Sequence, residues 1–186
     1  MEQERISHSN PSQRWIPPLH NCIKINCDAS FKPNNLFCGI GLVARDCTGR
    51  FKGARCIYKP AVDAENAESL AMLEAVKWAK EWHLQEVCFE SDSQSIILSM
   101  KDKKNSLHWQ NRSIINDCNY LLSELVFWDC NYVKRVCNGP ADKLAKFARK
   151  VRCNRSWYED PPSLIVQLLE VDMNASEDVN VPVSFI

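Results

Sequence analysis

Apolar and polar residues alternate from Cys22 onward: Ile23, Ile25 and Cys27 interleave with Lys24, Asn26 and Asp28, the two-residue period of a half-buried strand. Two more strand-like runs, at about 36–45 and 50–58, are joined by the turn-forming Asp46-Cys47-Thr48-Gly49, which predicts a three-stranded antiparallel meander. The period then lengthens. Between 64 and 82, Ala67, Leu70, Ala71, Leu73, Trp78 and Trp82 recur at three- and four-residue steps, the apolar stripe of a helix, with Asp63 placed to cap it. A fourth strand, Val87 to Glu90, runs into Ser91-Asp92-Ser93 and a short helix at about 93–101. A third helix is predicted near 110–124, a fifth strand from Val126 to about Lys134, and a last body helix at 141–153. That helix follows Asn138-Gly139-Pro140, and a proline suits a helix start because the N–H it lacks has no partner there. The order β-β-β-α-β-α-α-β-α implies an α/β fold: a five-stranded mixed sheet flanked by helices, since strands separated by a helix normally pair in parallel.

The pattern also divides the chain. Residues 1–20 are polar and carry Pro11, Pro17 and Pro18, which predicts a loosely docked N-terminal arm. Residues 21–155 form the body, and 156–186 an extension in which Pro161-Pro162 precedes a short amphipathic run, Leu164 to Val171. Charge follows the same division. Basic and acidic residues both number 23, but six of the acids follow Arg155 and no Lys or Arg does. Residues 1–155 therefore carry 23 basic against 17 acidic residues, a net of +6, which is compatible with a polyanionic partner despite the neutral total.

No apolar run approaches the roughly 18 residues of a membrane span, and MEQERISHSN contains no apolar signal core. A monomeric intracellular protein with no membrane partner is expected, and no signal separates nucleus from cytoplasm. The ten cysteines (22, 27, 38, 47, 56, 88, 118, 130, 137 and 153) include no CxxC pair, and no histidine lies at zinc-ligand spacing from two of them. In a chain of this length without an export signal they are expected to be reduced thiols, mostly small core residues.

Four acids stand out by position. Asp28 lies late on the first strand, where propensity disfavours it, on the face opposite Ile23, Ile25 and Cys27. Glu68 borders the apolar stripe of the first helix, Asp92 ends the fourth strand, and Asp142 sits in the first turn of the last body helix. Each has an ordinary structural reading as a helix-dipole partner, a cap or a turn acid. Together they can converge on one sheet edge, where they would repel one another unless hard divalent cations neutralised them. Two such ions roughly 4 Å apart can clamp the attacking and leaving oxygens of a phosphoryl transfer.

The segments KINCDAS (24–30), AESLA (67–71), ESDSQ (90–94) and NGPADKLA (138–145), in that order, resemble a type 1 ribonuclease H domain. The nearest form is the plant reverse transcriptase-like group, derived from retrotransposons; RWIPP (14–18) and WYEDPPSLIVQLLEVD (157–172) resemble that group's flanks. The resemblance implies a ribonuclease H-like fold and hydrolysis of the RNA strand of RNA–DNA hybrids, leaving a 5′-phosphate and a 3′-hydroxyl. It implies Asp28, Glu68, Asp92 and Asp142 as catalytic acids holding two Mg²⁺ ions, with Mn²⁺ as an alternative metal. Gln94 matches a position that contacts the hybrid's minor groove. Glu65, in a second Ala-Glu pair, competes with Glu68 for the helix acid, and the 24-residue interval to Asp92 favours Glu68.

The chain also departs from that family. Tyr132 stands ten residues before Asp142, where the family usually has a histidine, and a phenol with pKa near 10 cannot shuttle protons at neutral pH as imidazole can. Slow but real cleavage is therefore expected. Ala29 stands where glycine often follows the first acid, and a basic helix of some relatives is absent, with Lys101, Lys103 and Lys104 as candidate substitutes. The rival is a domesticated nucleic-acid-binding domain, catalytically weak or inactive. An integrase-like fold ranks lower because it lacks this order of meander and helix glutamate.

Overall fold

The computed structural model describes residues 14–102 and 107–177, with side chains through Asn174. Residues 1–13 of the expected arm, Lys103, Lys104 and residues 178–186 of the extension lie outside that set.

The meander forms as the alternation predicts: β1 (Ile23–Ser30), β2 (Phe37–Arg45) and β3 (Phe51–Pro60) pair antiparallel in sequence order. Helix α1 (Ala64–Glu81) opens at Asp63, whose carboxylate accepts from the Asn66 N–H. It carries the chain to β4 (Glu86–Ser91), parallel to β1, and α2 (Gln94–Lys101) and α3 (Trp109–Leu122) precede β5 (Phe127–Tyr132), parallel to β4. A 3-10 turn (Arg135–Asn138) leads into α4 (Gly139–Val151).

The sheet has six strands, not five. Arg155–Trp157 forms β6 and pairs antiparallel with Ala54–Cys56, giving the order β5-β4-β1-β2-β3-β6. Three residues are too few to display an alternating pattern. Their pairing covers part of what would otherwise be the open edge of β3, whose backbone groups need partners.

Two apolar layers hold the sheet. On one face Ile25, Cys27, Ile40 and Leu42 pack with Ala71, Met72, Val76 and Trp78 of α1. On the other, Val43, Ala54 and Cys56 meet Leu144 and Ala148 of α4 and Ile165 and Leu169 of α5 (Ser163–Glu177). Helix α4 lies very close to β2 because Gly39 and Gly41 carry no side chains: a Cβ at either would fall 2.1 Å from a carbonyl oxygen of α4. Glycine at these two positions therefore sets how near the Asp142 end of α4 approaches β1.

Both flanks are drawn further into the body than their polarity suggests. Trp15 is 1% exposed, stacks on the Arg45 guanidinium with 3.5 Å from charge centre to ring, and donates through its indole N–H to Asn26 Oδ1 at 3.0 Å. Arg45 in turn pairs with Asp172 of α5 at 2.7 Å. One of the six terminal acids thus neutralises a buried arginine, and α5 runs well past the expected Leu164–Val171. The described part of the N-terminal arm is docked rather than loose, because a fully buried tryptophan contributes more than the polar residues around it subtract.

Candidate metal centre

Strands β1 and β4 are parallel neighbours, so their C-terminal ends reach the same sheet edge. Asp28 projects from β1 there, and Asp92 follows the last residue of β4. Helix α1 crosses the sheet above them with Glu68 one turn from its start. These three acids offer carboxylate oxygens that lie within 4.8 Å of one another. Their side chains come from two strands and a helix that are 40 and 24 residues apart in sequence, in the order the acid spacing implies.

The trio is short of donors. Both oxygens of Asp28 and Oε2 of Glu68 are buried without a hydrogen-bond partner among the described residues. Burial, then the charge of Glu68, then the carboxyl of Asp92 push the Asp28 pKa far above the usual carboxylate range. Burial and the charge of Asp92 push Glu68 up as well, opposed by Arg135 and the Ala29 N–H. An acidic pocket this short of donors is a poor structural device and a good site for a hard cation, whose charge compensates the repulsion that burial intensifies. The donor set is all oxygen, as magnesium or manganese prefers, and it contains no thiol or imidazole. The residues present fit such an ion.

Asp142 stands beside this trio rather than within it. It is mostly buried in the first turn of α4 and accepts from Lys146 Nζ at 2.6 Å, one turn along the helix, while its charge helps to raise Asp28 and Glu68. Gln94 is exposed at the first position of α2, two residues beyond Asp92. Glu65 lies elsewhere: its Oε2 accepts from the Asn111 side chain at 2.6 Å and the His108 N–H at 3.0 Å, clamping α3 to α1. Between the two helix acids, it is Glu68 that reaches the cluster. Tyr132 ends β5 opposite Ser91, so it flanks the site and is partly exposed. Lys101 faces Asp129 at 3.3 Å and donates to Asn131.

Two residues at the site had no role assigned to them from sequence, although Asn138 opens the NGPADKLA motif. Arg135 Nε donates to Asp92 Oδ2 at 2.9 Å from the 3-10 turn, although its side chain is largely exposed. Asn138, fully buried, donates to the Cys27 carbonyl at 2.9 Å and so ties the approach to α4 to the strand residue preceding Asp28. Nothing in the residue types of VKRVCNGPAD separates Arg135 from Lys134; only the turn geometry does.

Comparison with known proteins bears on the family and the fold. The family described as reverse transcriptase-like matches residues 26–148, which include all four acids. An Arabidopsis thaliana protein named "Putative ribonuclease H protein" is 25% identical over 158 residues, 85% of this chain, and the chain spans about a quarter of that protein's length. Among solved structures, the ribonuclease H1 of the halophilic archaeon Halobacterium salinarum covers 70% of this chain and 98% of its own, with a TM-score of 0.66 and 19% identity. The compost-derived LC11-RNase H1, solved in complex with an RNA/DNA hybrid, gives a TM-score of 0.64 at 22% identity over 70% of this chain and 99% of its own. These likenesses establish the ribonuclease H fold.

Proposed function

This chain belongs to the reverse transcriptase-like family, and from that premise we propose that it is a metal-dependent endonuclease acting on the RNA strand of RNA–DNA hybrids. The observation that carries the proposal is the carboxylate trio, which is short of donors. Asp28, Glu68 and Asp92 gather oxygens within 4.8 Å, while both oxygens of Asp28 and Oε2 of Glu68 have no hydrogen-bond partner among the described residues. With Asp142 alongside, they are the residues that would hold two Mg²⁺ ions or the equivalent Mn²⁺. Bound there, such ions supply an activated water and neutralise charge on the phosphodiester under attack.

The chain's own residues set the rest. Asp28 is fully buried and Glu68 is half-buried with its Oε2 covered, so these two carboxylates are preorganised. Asp92 is the adjustable member, because Arg135 can leave it: that guanidinium is solvent-exposed on its far side. Asp142 is mostly buried and held by Lys146, whose own side chain is exposed. Gln94 presents an amide able to donate and accept, suited to the 2′-hydroxyls that distinguish RNA across the minor groove. A relative solved with a hybrid supports this choice of substrate.

The test is a labelled RNA–DNA hybrid incubated with Mg²⁺, with DNA duplex and RNA duplex alongside and an Asp28→Asn protein run in parallel. The expected result is cleavage of the RNA strand by the wild-type protein alone, leaving a 5′-phosphate and a 3′-hydroxyl. A second reading, a nucleic-acid binder that no longer cuts, is favoured by Tyr132 and by the Arg135 ion pair on Asp92. Retention of hybrid in a binding assay without cleavage by either protein would select it.

A further inference from the structure

Four of the ten cysteines scattered along the sequence come together as two close pairs in the fold. Cys56 and Cys153 bring their sulfurs to 3.8 Å, and Cys22 and Cys88 bring theirs to 3.2 Å, in hydrogen-bond contact. The second pair is 66 residues apart in sequence and joins the start of β1 to the middle of β4. We propose that Cys22 and Cys88 form a thiol–disulfide exchange site that takes a low-molecular-weight disulfide of the glutathione class and ends as an intramolecular bridge.

Three observations support this. The first is proximity: a disulfide bond is about 2.05 Å long, so closure requires the sulfurs to approach by only about 1 Å. Packed neighbouring strands can supply this through side-chain torsions.

The second is asymmetry of access. Cys22 is 3% exposed, whereas Cys88 is only half-buried. Helix α4 packs over the β1–β2–β3 part of this sheet face, and Cys88 shares the face with Asp129 of β5, also partly exposed. A small disulfide can therefore reach one thiol and not the other, which sets the order of events.

The third is local electrostatics. Burial, helped by Asp129 and Glu90, raises the Cys88 thiol, and the hydrogen bond from Cys22 and the charge of Lys24, directly across in the parallel register, offset only part of that rise. Cys22 is pushed up to about 12, by burial first and then by Cys88, so it remains a thiol until Cys88 has reacted.

The steps balance without any further reactant. The Cys88 thiolate attacks one sulfur of the small disulfide, whose S–S bond breaks and releases one small thiolate. The Cys22 thiol loses its proton to solvent, and its sulfur attacks Cys88 Sγ in the mixed disulfide, expelling the second small thiolate. Two protein thiols are oxidised by two electrons, and the small disulfide is reduced to two thiols. The bridge joins the start of β1 to the middle of β4, six residues before Asp28 and four before Asp92, so it staples the two strands that lead to those acids. The inference is independent of the nuclease reading.

The experiment uses the full chain and oxidised glutathione. After exposure, free thiols are alkylated under denaturing conditions, the protein is digested without reduction, and linked peptides are identified by mass. The expected result is a Cys22–Cys88 cross-link and a rise in Tm of roughly 5–15 °C, both reversed by dithiothreitol. Cys22→Ser should halt the reaction at a glutathione adduct on Cys88, and Cys88→Ser should give neither adduct nor link at this pair. An unlinked Cys22 and Cys88 in the wild-type digest, or a stable glutathione adduct on wild-type Cys88, overturns the proposal. So does a cross-link that joins either cysteine to a different partner. The Cys22→Ser adduct reads the order of attack even if that variant is less stable.

Discussion

Replacing Asp28 by asparagine should stabilise the metal-free protein while removing its proposed activity, an unusual pairing that the acid cluster requires. Asp28 is buried, has no donor on either oxygen, and faces the charges of Glu68, Asp92 and Asp142. Its carboxyl therefore keeps its proton in the folded chain at pH 7 and loses it on unfolding. Holding an acid of ordinary pKa near 3.9 protonated at pH 7 costs folding about 4 kcal/mol, the price of about three pH units. An asparagine avoids that term but leaves a buried amide without partners, at about 1–3 kcal/mol. The net expectation is a gain of about 1–3 kcal/mol, or roughly 2–10 °C in Tm for a domain of this size. The sign fixes the pH dependence. The folded state binds more protons than the unfolded state, so wild-type stability falls as pH rises above the unfolded carboxylate value, and the advantage of Asp28→Asn should vanish near pH 4. Urea denaturation in chelator at pH 4, 5.5 and 7 reads this directly. An Asp28→Asn protein no more stable than wild type at pH 7, or one whose advantage persists at pH 4, would refute the reasoning. With Mg²⁺ present the ranking should invert, because metal binds the folded wild type and contributes RT ln(1 + [L]/Kd) that the variant lacks.

Arg135→Gln removes the cation that Asp92 already holds, so Mn²⁺ affinity measured by calorimetry should rise at least threefold; an unchanged affinity would mean that Arg135 does not compete with metal. Tyr132→His should raise turnover on a hybrid substrate by restoring an imidazole beside the site, and equal rates in the two proteins would remove the phenol as the cause of slow cleavage. Trp15→Ala should destabilise the fold by about 3–5 kcal/mol in urea, since it deletes a fully buried ring stacked on Arg45. Gly41→Ala should destabilise the protein by more than about 3 kcal/mol, read as loss of folded fraction at moderate urea, because its Cβ would fall on the Ala141 carbonyl.

What the sequence discloses and what it withholds divide along a physical line. The four acids were legible because each sits at a strand end or a helix start, and the α/β topology converts those landmarks into one sheet edge. Their mutual distances were not legible: Asp142 turns out to stand beside the trio, held by Lys146 one turn away on its own helix. Strand β6 escaped because three residues show no periodicity, and the length of α5 because its polar Asp172 faces a buried arginine rather than water. Arg135 was hidden for a related reason, since only a short 3-10 turn aims it at Asp92.

The charge balance shows most clearly why position outweighs count. Residues 1–155 carry a net of +6, yet Arg45, one of those positive charges, is buried against Asp172 and Trp15 and presents nothing to a polyanion. Lys24 is likewise spent on Glu90 at 2.5 Å inside the same polar network. Residues whose formal charges seemed to describe a surface thus serve to dock both chain flanks onto the sheet. The surface that a nucleic acid would meet is set by exposed groups near the acid edge, among them Arg135, Lys143 and Lys146, with the last already committed to Asp142. Arg135 and Lys146 are held by the same acids that metal ions would claim. Metal binding would then free both cations at the moment the site needs positive charge toward a phosphodiester, so metal and nucleic acid should bind with positive coupling. A hybrid affinity that is equal with and without a divalent ion would break that link.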